Sequence, residues 1–277
     1  MNNPFIETSS TAKSATDNRQ HRNRDWWEAK PMTYADWDAK DREPETDRDI
    51  QVIEDYVLRT GPWLKAWFEA QNFSGLSCLD IGPGSGIFSS MLARQGGQVT
   101  AMDLTETGVK LTRRTANYFN CNVDPVRGDA ENNPFAGEVF DFIYSWGVLH
   151  HTQDMAAALK EAGRVLKPGG RGMMMVYHRN SVVYYIHGLY WLLVKGKLFQ
   201  GYSLQRVQDF YTDGFYHRYL TRRELGAMLD NSGLKVQRFA VTQYEKKIIP
   251  AIPVWFDEWL KSKFGMCLIA EFEKPDR

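Results

Sequence analysis

Cysteine is scarce in this chain of 277 residues: the three present, Cys78, Cys121 and Cys267, follow no metal-binding or redox spacing. Cys78 and Cys267 sit in apolar, strand-like runs and read as plain core residues. Such sparing use suits a reducing compartment. Long hydrophobic runs are missing as well. The longest, Val182 to Val194, contains His187 and is too short to span a bilayer, and the polar N-terminus has no apolar signal core. There is no excess of charge: 34 Lys and Arg offset 34 Asp and Glu, so no nucleic-acid footprint shows across the whole chain. No internal repeat or low-complexity tract is evident. These absences predict a cytoplasmic protein with an ordinary globular core, built as one large domain or one domain with a cap.

What is present is concentrated at Leu79-Asp80-Ile81-Gly82-Pro83-Gly84-Ser85-Gly86. An apolar stretch (Leu76, Cys78, Leu79, Ile81) precedes it and reads as a buried parallel strand. Ile87, Phe88, Met91 and Leu92 follow at helical spacing. A glycine turn between strand and helix lets the backbone approach a ligand, and the helix start offers free N–H groups. A dinucleotide fingerprint, G-x-G-x-x-G, would need its third glycine at position 87, where Ile87 stands. That spacing disfavours a NAD-dependent oxidoreductase.

Alternating glycines with an acid two residues earlier resemble the first motif of class I S-adenosylmethionine (SAM)-dependent methyltransferases. Later segments fall where that family has its motifs. Gln98 to Met102 reads as a second strand ended by Asp103, and Val123 to Arg127 as a third, followed by Gly128-Asp129-Ala130-Glu131. Phe140 to His151 resembles the fourth strand and its loop, and Glu161 to Gly170 the helix and turn entering the fifth. With Met32-Thr33-Tyr34 and Met175-Val176-Tyr177-His178-Arg179, these strings resemble a bacterial, methyltransferase-11-like branch whose acceptors are mostly unassigned. Pro83 departs from the small residue many members carry there.

The resemblance implies a Rossmann-like α/β fold. The expected sheet is seven-stranded and mixed, mostly parallel with the last strand antiparallel, with helices on both faces and an aromatic lid or insertion. It implies SAM as cofactor, with Asp80, Gly82, Gly84 and Gly86 at the methionine portion. Asp103, with Leu104 beside it, would take the ribose, as an acid about 20 residues beyond such a turn commonly does. Asp129 and Ala130 would take the adenine, with Ser145 and Trp146 at the cofactor edge.

The organisation expected along the chain is a weakly ordered tail (1–22), an N-terminal lid with helices (23–75), a cofactor core of five strand–helix units (76–178), a capping insertion with a helix (179–233) and a C-terminal strand pair (234–277). Ile50 to Ala70 predicts two helices broken at Gly61-Pro62. Thr221-Arg222-Arg223-Glu224 predicts a capping box.

Ligands in α/β sheets lie beyond the carboxyl ends of the strands. His150, His151 and His178 follow strands four and five there and are the candidate bases. The first two also suit a purely structural part in the loop's hydrogen bonding. Candidate substrate contacts are Tyr34, Trp37, Tyr177, His178, Tyr211 and His217. The insertion is rich in Tyr, Trp, Lys and Arg, which suits an acidic acceptor, a carrier protein, a membrane surface or a simple solvated face. The reading is an enzyme moving a methyl group to O or N of a small or medium-sized acceptor, such as a natural product or sugar, as a monomer or homodimer. A SAM-binding regulator without catalysis is the other reading.

Overall fold

The computed structural model describes residues 17–29, 46–210, 217–242 and 252–276. Tyr34, Trp37 and Tyr211 lie outside them. In chain order the elements are α1 (Asp17–Ala29), α2 (Asp47–Thr60), α3 (Pro62–Glu69), β1 (Ser77–Ile81), α4 (Ile87–Arg94), β2 (Gln98–Asp103), α5 (Glu106–Tyr118), β3 (Val123–Arg127) and β4 (Phe140–Trp146). Then come α6 (Met155–Val165), β5 (Leu166–His178), α7 (Val182–Leu189), α8 (Leu204–Phe210), β6 (Tyr219–Leu220), α9 (Arg222–Asn231), β7 (Lys235–Thr242), α10 (Val254–Phe264) and β8 (Cys267–Glu273).

The strands form one sheet in the order β3-β2-β1-β4-β5-β8-β7. β1 to β5 run parallel, and β8 lies antiparallel between β5 and β7. The seven expected strands are all there. An eighth, the two-residue β6, pairs with the end of β5 through Tyr177–Tyr219 and His178–Leu220. Strand order reverses between β1 and β4, so the crevice for a ligand lies beyond the carboxyl ends of those two strands.

Alternation along the strands fills both faces. Ile143, Met174 and Val176 point to one core with α6 and α9. Phe142, Tyr144, Trp146, Met173 and Met175 point to the other, with α2, α3 and α4. Cys78 and Cys267 are buried in that second core, and burial pushes the Cys78 thiol up to about 12.

Local chemistry places the helices. Thr46 caps α2 in a reciprocal box with Asp49, and Gly61-Pro62 ends α2 and starts α3. Thr221 and Glu224 form the second box at α9.

Two features depart from the sequence reading. α1 begins at Asp17, inside the stretch expected to be weakly ordered, because tertiary contacts hold it and not an apolar stripe of its own. Between β3 and β4 there is no helix. Residues 128–139, with Gly128, Pro134 and Gly137, stay irregular, and Arg164 of α6 donates to the carbonyls of Asn133 and Phe135 at 3.0 and 2.9 Å, fixing the loop.

Candidate active site

The glycine turn sits at the end of β1, and Gly82, Gly84 and Gly86 all have positive φ, at 71°, 53° and 76°. Two of them are also packing requirements. A Cβ on Gly82 would lie 2.4 Å from Val148, and one on Gly86 would lie 2.7 Å from the Thr112 backbone of α5. The turn therefore locks β1 to the β4 loop and to α5 at once. Gly86 caps α4 with no side-chain partner, leaving the first N–H groups of that helix open.

Asp103 faces this turn from the end of β2. Its Oδ2 accepts from the Gly84 N–H at 3.3 Å, and Oδ1 accepts from the Thr105 amide and hydroxyl at 2.9 and 2.7 Å. Burial, then the charge of Glu28, raises its pKa against the pull of those bonds. The carboxylate is thus fixed beside a glycine backbone, as a ligand for sugar hydroxyls must be.

Asp80 is 1% exposed, and its Oδ2 accepts from the Ser89 hydroxyl of α4 at 2.6 Å. Burial pushes its carboxyl up to about 7. Ser145 is buried and donates to the Ile81 carbonyl at 3.2 Å. The Trp146 ring is in the core against Trp63 and Phe88, with centroids 5.5 and 5.9 Å away. Leu104, Asp129 and Ala130 are half-buried at the ends of β2 and β3, and Asp129 Oδ1 accepts from the Glu131 amide at 2.9 Å.

Beyond β4 and β5 lies a cluster of rings. His150 is 4.0 Å from His151 and 4.1 Å from Tyr177, centroid to centroid. His217 joins at 5.5 Å from Tyr177 and 5.2 Å from Tyr219. β6 brings His217 there, because pairing Tyr219 with Tyr177 sets the insertion's end against β5. Neither ring nitrogen of the fully buried His150 has a hydrogen-bond partner among the described residues. Burial, then the charges of His151, His217 and Arg218, lowers its pKa well below the ordinary value. The imidazole is therefore neutral, with one nitrogen lone pair able to accept a hydrogen bond.

His178 does not join this group. Strand alternation turns it away from Tyr177, and its Nδ1 lies 3.1 Å from the Gly265 carbonyl.

The N-terminal helix packs between this cluster and the start of α5. Asn23 Nδ2 donates to the His151 carbonyl at 2.6 Å, and the Trp27 ring meets the His151 ring at 5.4 Å. Glu28 accepts from the amides of Glu106 and Thr107 at 2.9 and 3.1 Å and from the Thr107 hydroxyl at 2.8 Å. Burial opposes the charge of Glu28, but these bonds outweigh it and lower its pKa. α1 therefore runs from the β4 loop to the start of α5, across the end of β1. Its rise from Asn23 to Glu28, about 7.5 Å, is close to the roughly 10 Å that separates β4 from β2. The sequence reading missed Asn23 and Glu28. The only local signal was the tryptophan pair, Trp26-Trp27.

A family model described as a methyltransferase domain matches residues 79–174. A ubiquinone biosynthesis O-methyltransferase of Xylella fastidiosa (strain M23) is 31% identical over 176 residues, covering 63% of this chain and 67% of that one. The chain belongs to the class I SAM-dependent methyltransferases. Another member with the same name, from Mesorhizobium japonicum, is 36% identical over 101 residues, and this chain spans 41% of its length. Among solved structures, the magnesium protoporphyrin IX methyltransferase (ChlM) of Synechocystis PCC 6803, with bound SAH, superposes with a TM-score of 0.59 at 18% identity, over 92% of this chain and 99% of that one. That likeness concerns the methyltransferase fold. SAM is the cofactor of the family, and the residues here fit it: a fixed carboxylate at Asp103, an open helix start at α4 and a glycine backbone between them.

Proposed function

We propose that this chain transfers the methyl group of SAM to a hydroxyl oxygen of a small or medium-sized acceptor. The observation that carries the reading is His150, fully buried, neutral and, among the described residues, without a hydrogen-bond partner at either ring nitrogen, beyond the end of β4. SAM, when bound, supplies an electrophilic methyl on a sulfonium. Asp103 and the glycine turn orient the cofactor. The rings of Tyr177, His217 and Tyr219 wall the acceptor side and exclude water. His150 accepts the hydrogen bond of the acceptor's O–H and so aims the oxygen, which is the main requirement of an in-line displacement. A hydroxyl becomes strongly acidic as its oxygen gains the methyl, so even a base of lowered pKa can take the proton late in the step. The O-methyltransferase names of the relatives support oxygen over nitrogen.

The test is a screen with radiolabelled SAM against phenols, sugars, carboxylates and amines, followed by His150→Gln and Asp103→Ala. Product on a hydroxyl is expected. His150→Gln should lower kcat by about 10²-fold, the low end of what a positioned base contributes, with S-adenosylhomocysteine affinity unchanged. Asp103→Ala should weaken that affinity clearly by calorimetry. Product on amines alone, or full activity in His150→Gln, would overturn the reading.

A further inference from the structure

The segment after β5 has two apolar faces, and the chain covers one of them. Tyr184, Gly188 and Leu192 recur every four residues and are buried or nearly so. A Cβ on Gly188 would lie 2.2 Å from Leu204 of α8, so this face is closely packed. Ile186, Leu189, Leu193 and Val194 recur at the spacing of the opposite stripe and are 60%, 48%, 58% and 70% exposed. Phe199, just beyond, is 88% exposed. A row of large aliphatic and aromatic side chains in water marks an interaction surface, unlike scattered single exposures.

Charge identifies the occupant. Between Glu161 and Asp209 the sequence contains no Asp or Glu. The cations of this stretch lie on tyrosine rings: Lys195 Nζ is 5.6 Å from the Tyr190 ring, and Lys197 and Arg206 lie 5.2 and 4.9 Å from the Tyr202 ring. Aliphatic residues bordered by Tyr and Lys are the composition of a helix lying in a bilayer interface, with the rings at headgroup level and the cations on anionic lipid. Val182 to Val194, an α-helix to Leu189 that continues as a π-helix over Tyr190–Val194, rises at most about 20 Å, less than the roughly 30 Å of a hydrocarbon core, so it lies along the membrane instead of crossing it. A second copy is a poor occupant. A two-fold contact through this row would set the same lysines against each other with no acid on the segment to pair them.

We infer that α7 and the residues that follow it, 182–200 together, are a peripheral docking surface for an anionic lipid bilayer. Its buried face adjoins the acceptor wall, since Tyr184 packs on Tyr219 at 4.9 Å. Docking would therefore bring the site next to the lipid. The inference does not depend on methyl transfer.

Flotation of the full chain with vesicles tests it without any acceptor. With phosphatidylcholine vesicles containing phosphatidylglycerol, the protein should float at low salt. It should float far less with phosphatidylcholine alone. Leu193→Asp with Phe199→Asp should lower the partition coefficient at least about tenfold, from lost burial of two large apolar side chains. Lys195→Gln with Lys197→Gln should remove most of the preference for phosphatidylglycerol, and this pair decides the matter if the aspartate variant does not fold. Calorimetry with S-adenosylhomocysteine reports folding of each variant. No flotation of the wild type, equal flotation of wild type and lysine variant, or a lipid-free dimer by sedimentation that the Leu193 substitution dissociates would each overturn the inference.

Discussion

Asn23 donates to the backbone carbonyl of His151, 128 residues away, at 2.6 Å. That bond ties the N-terminal helix to the loop carrying the candidate base. At the helix's other end, Glu28 caps the first amides of α5 beside Asp103. The two anchors hold α1 to the β4 loop and to the start of α5, which follow the strands on either side of β1.

A helix held by two polar anchors should slow ligand exchange. Asn23→Ala leaves the His151 carbonyl without its side-chain donor, a loss of about 1–2 kcal/mol in docking. We expect Asn23→Ala with Glu28→Ala to speed release of S-adenosylhomocysteine about tenfold in stopped-flow measurements, with little change in global melting temperature. Unchanged release would show that α1 does not gate the crevice.

Asp80 gives a pH signature. Its carboxyl is pushed up to about 7 in the fold, against 3.8 in the ordinary state. Between those values the native state holds a proton that the unfolded chain has released. Stability from this residue is therefore fully present below the lower value and is lost as pH rises through the upper one. Asn cannot ionise, so Asp80→Asn should raise the melting temperature of the ligand-free protein at about pH 8 and give almost none of that gain near pH 4. An equal difference at both pH values would contradict the assignment.

Gly82 serves packing as well as ligand approach. With φ at 71° and a Cβ placed 2.4 Å from Val148, Gly82→Ala meets both backbone strain and a clash. A loss of about 2–4 kcal/mol in urea unfolding is expected. Adding Val148→Ala should relieve the clash and leave the backbone share, which a double-mutant cycle separates. No recovery in the double variant would mean that the clash with Val148 is not the cause.

Much of the frame was legible because its signals are local. Val123 to Arg127, the break at Gly61-Pro62 and the Thr221–Glu224 box form where the residues themselves demand them. α1 was less legible: adjacent tryptophans give no helical stripe, and the anchors act on residues far along the chain. Which of Tyr177 and His178, both named as substrate contacts, joins the ring cluster rested on strand phase. Met173 and Met175 share the face of Tyr177, so His178 had to turn the other way. His217 was named as a substrate contact, yet nothing in its surroundings along the chain showed that β6 would bring it beside Tyr177.

By itself, then, the sequence determined the glycine turn, the acids at the ends of β1, β2 and β3, and hence the family and its methyl donor. Those features depend on spacing within a few residues. Only the tertiary structure decided that Asp80 is sealed against Ser89, that His150 and not His178 meets Tyr177, and that α1 is held to the β4 loop and to α5. These depend on which buried groups meet once strands and helices pack, from Ser89 on Asp80 to Asn23 on His151, and such meetings leave no period in the chain.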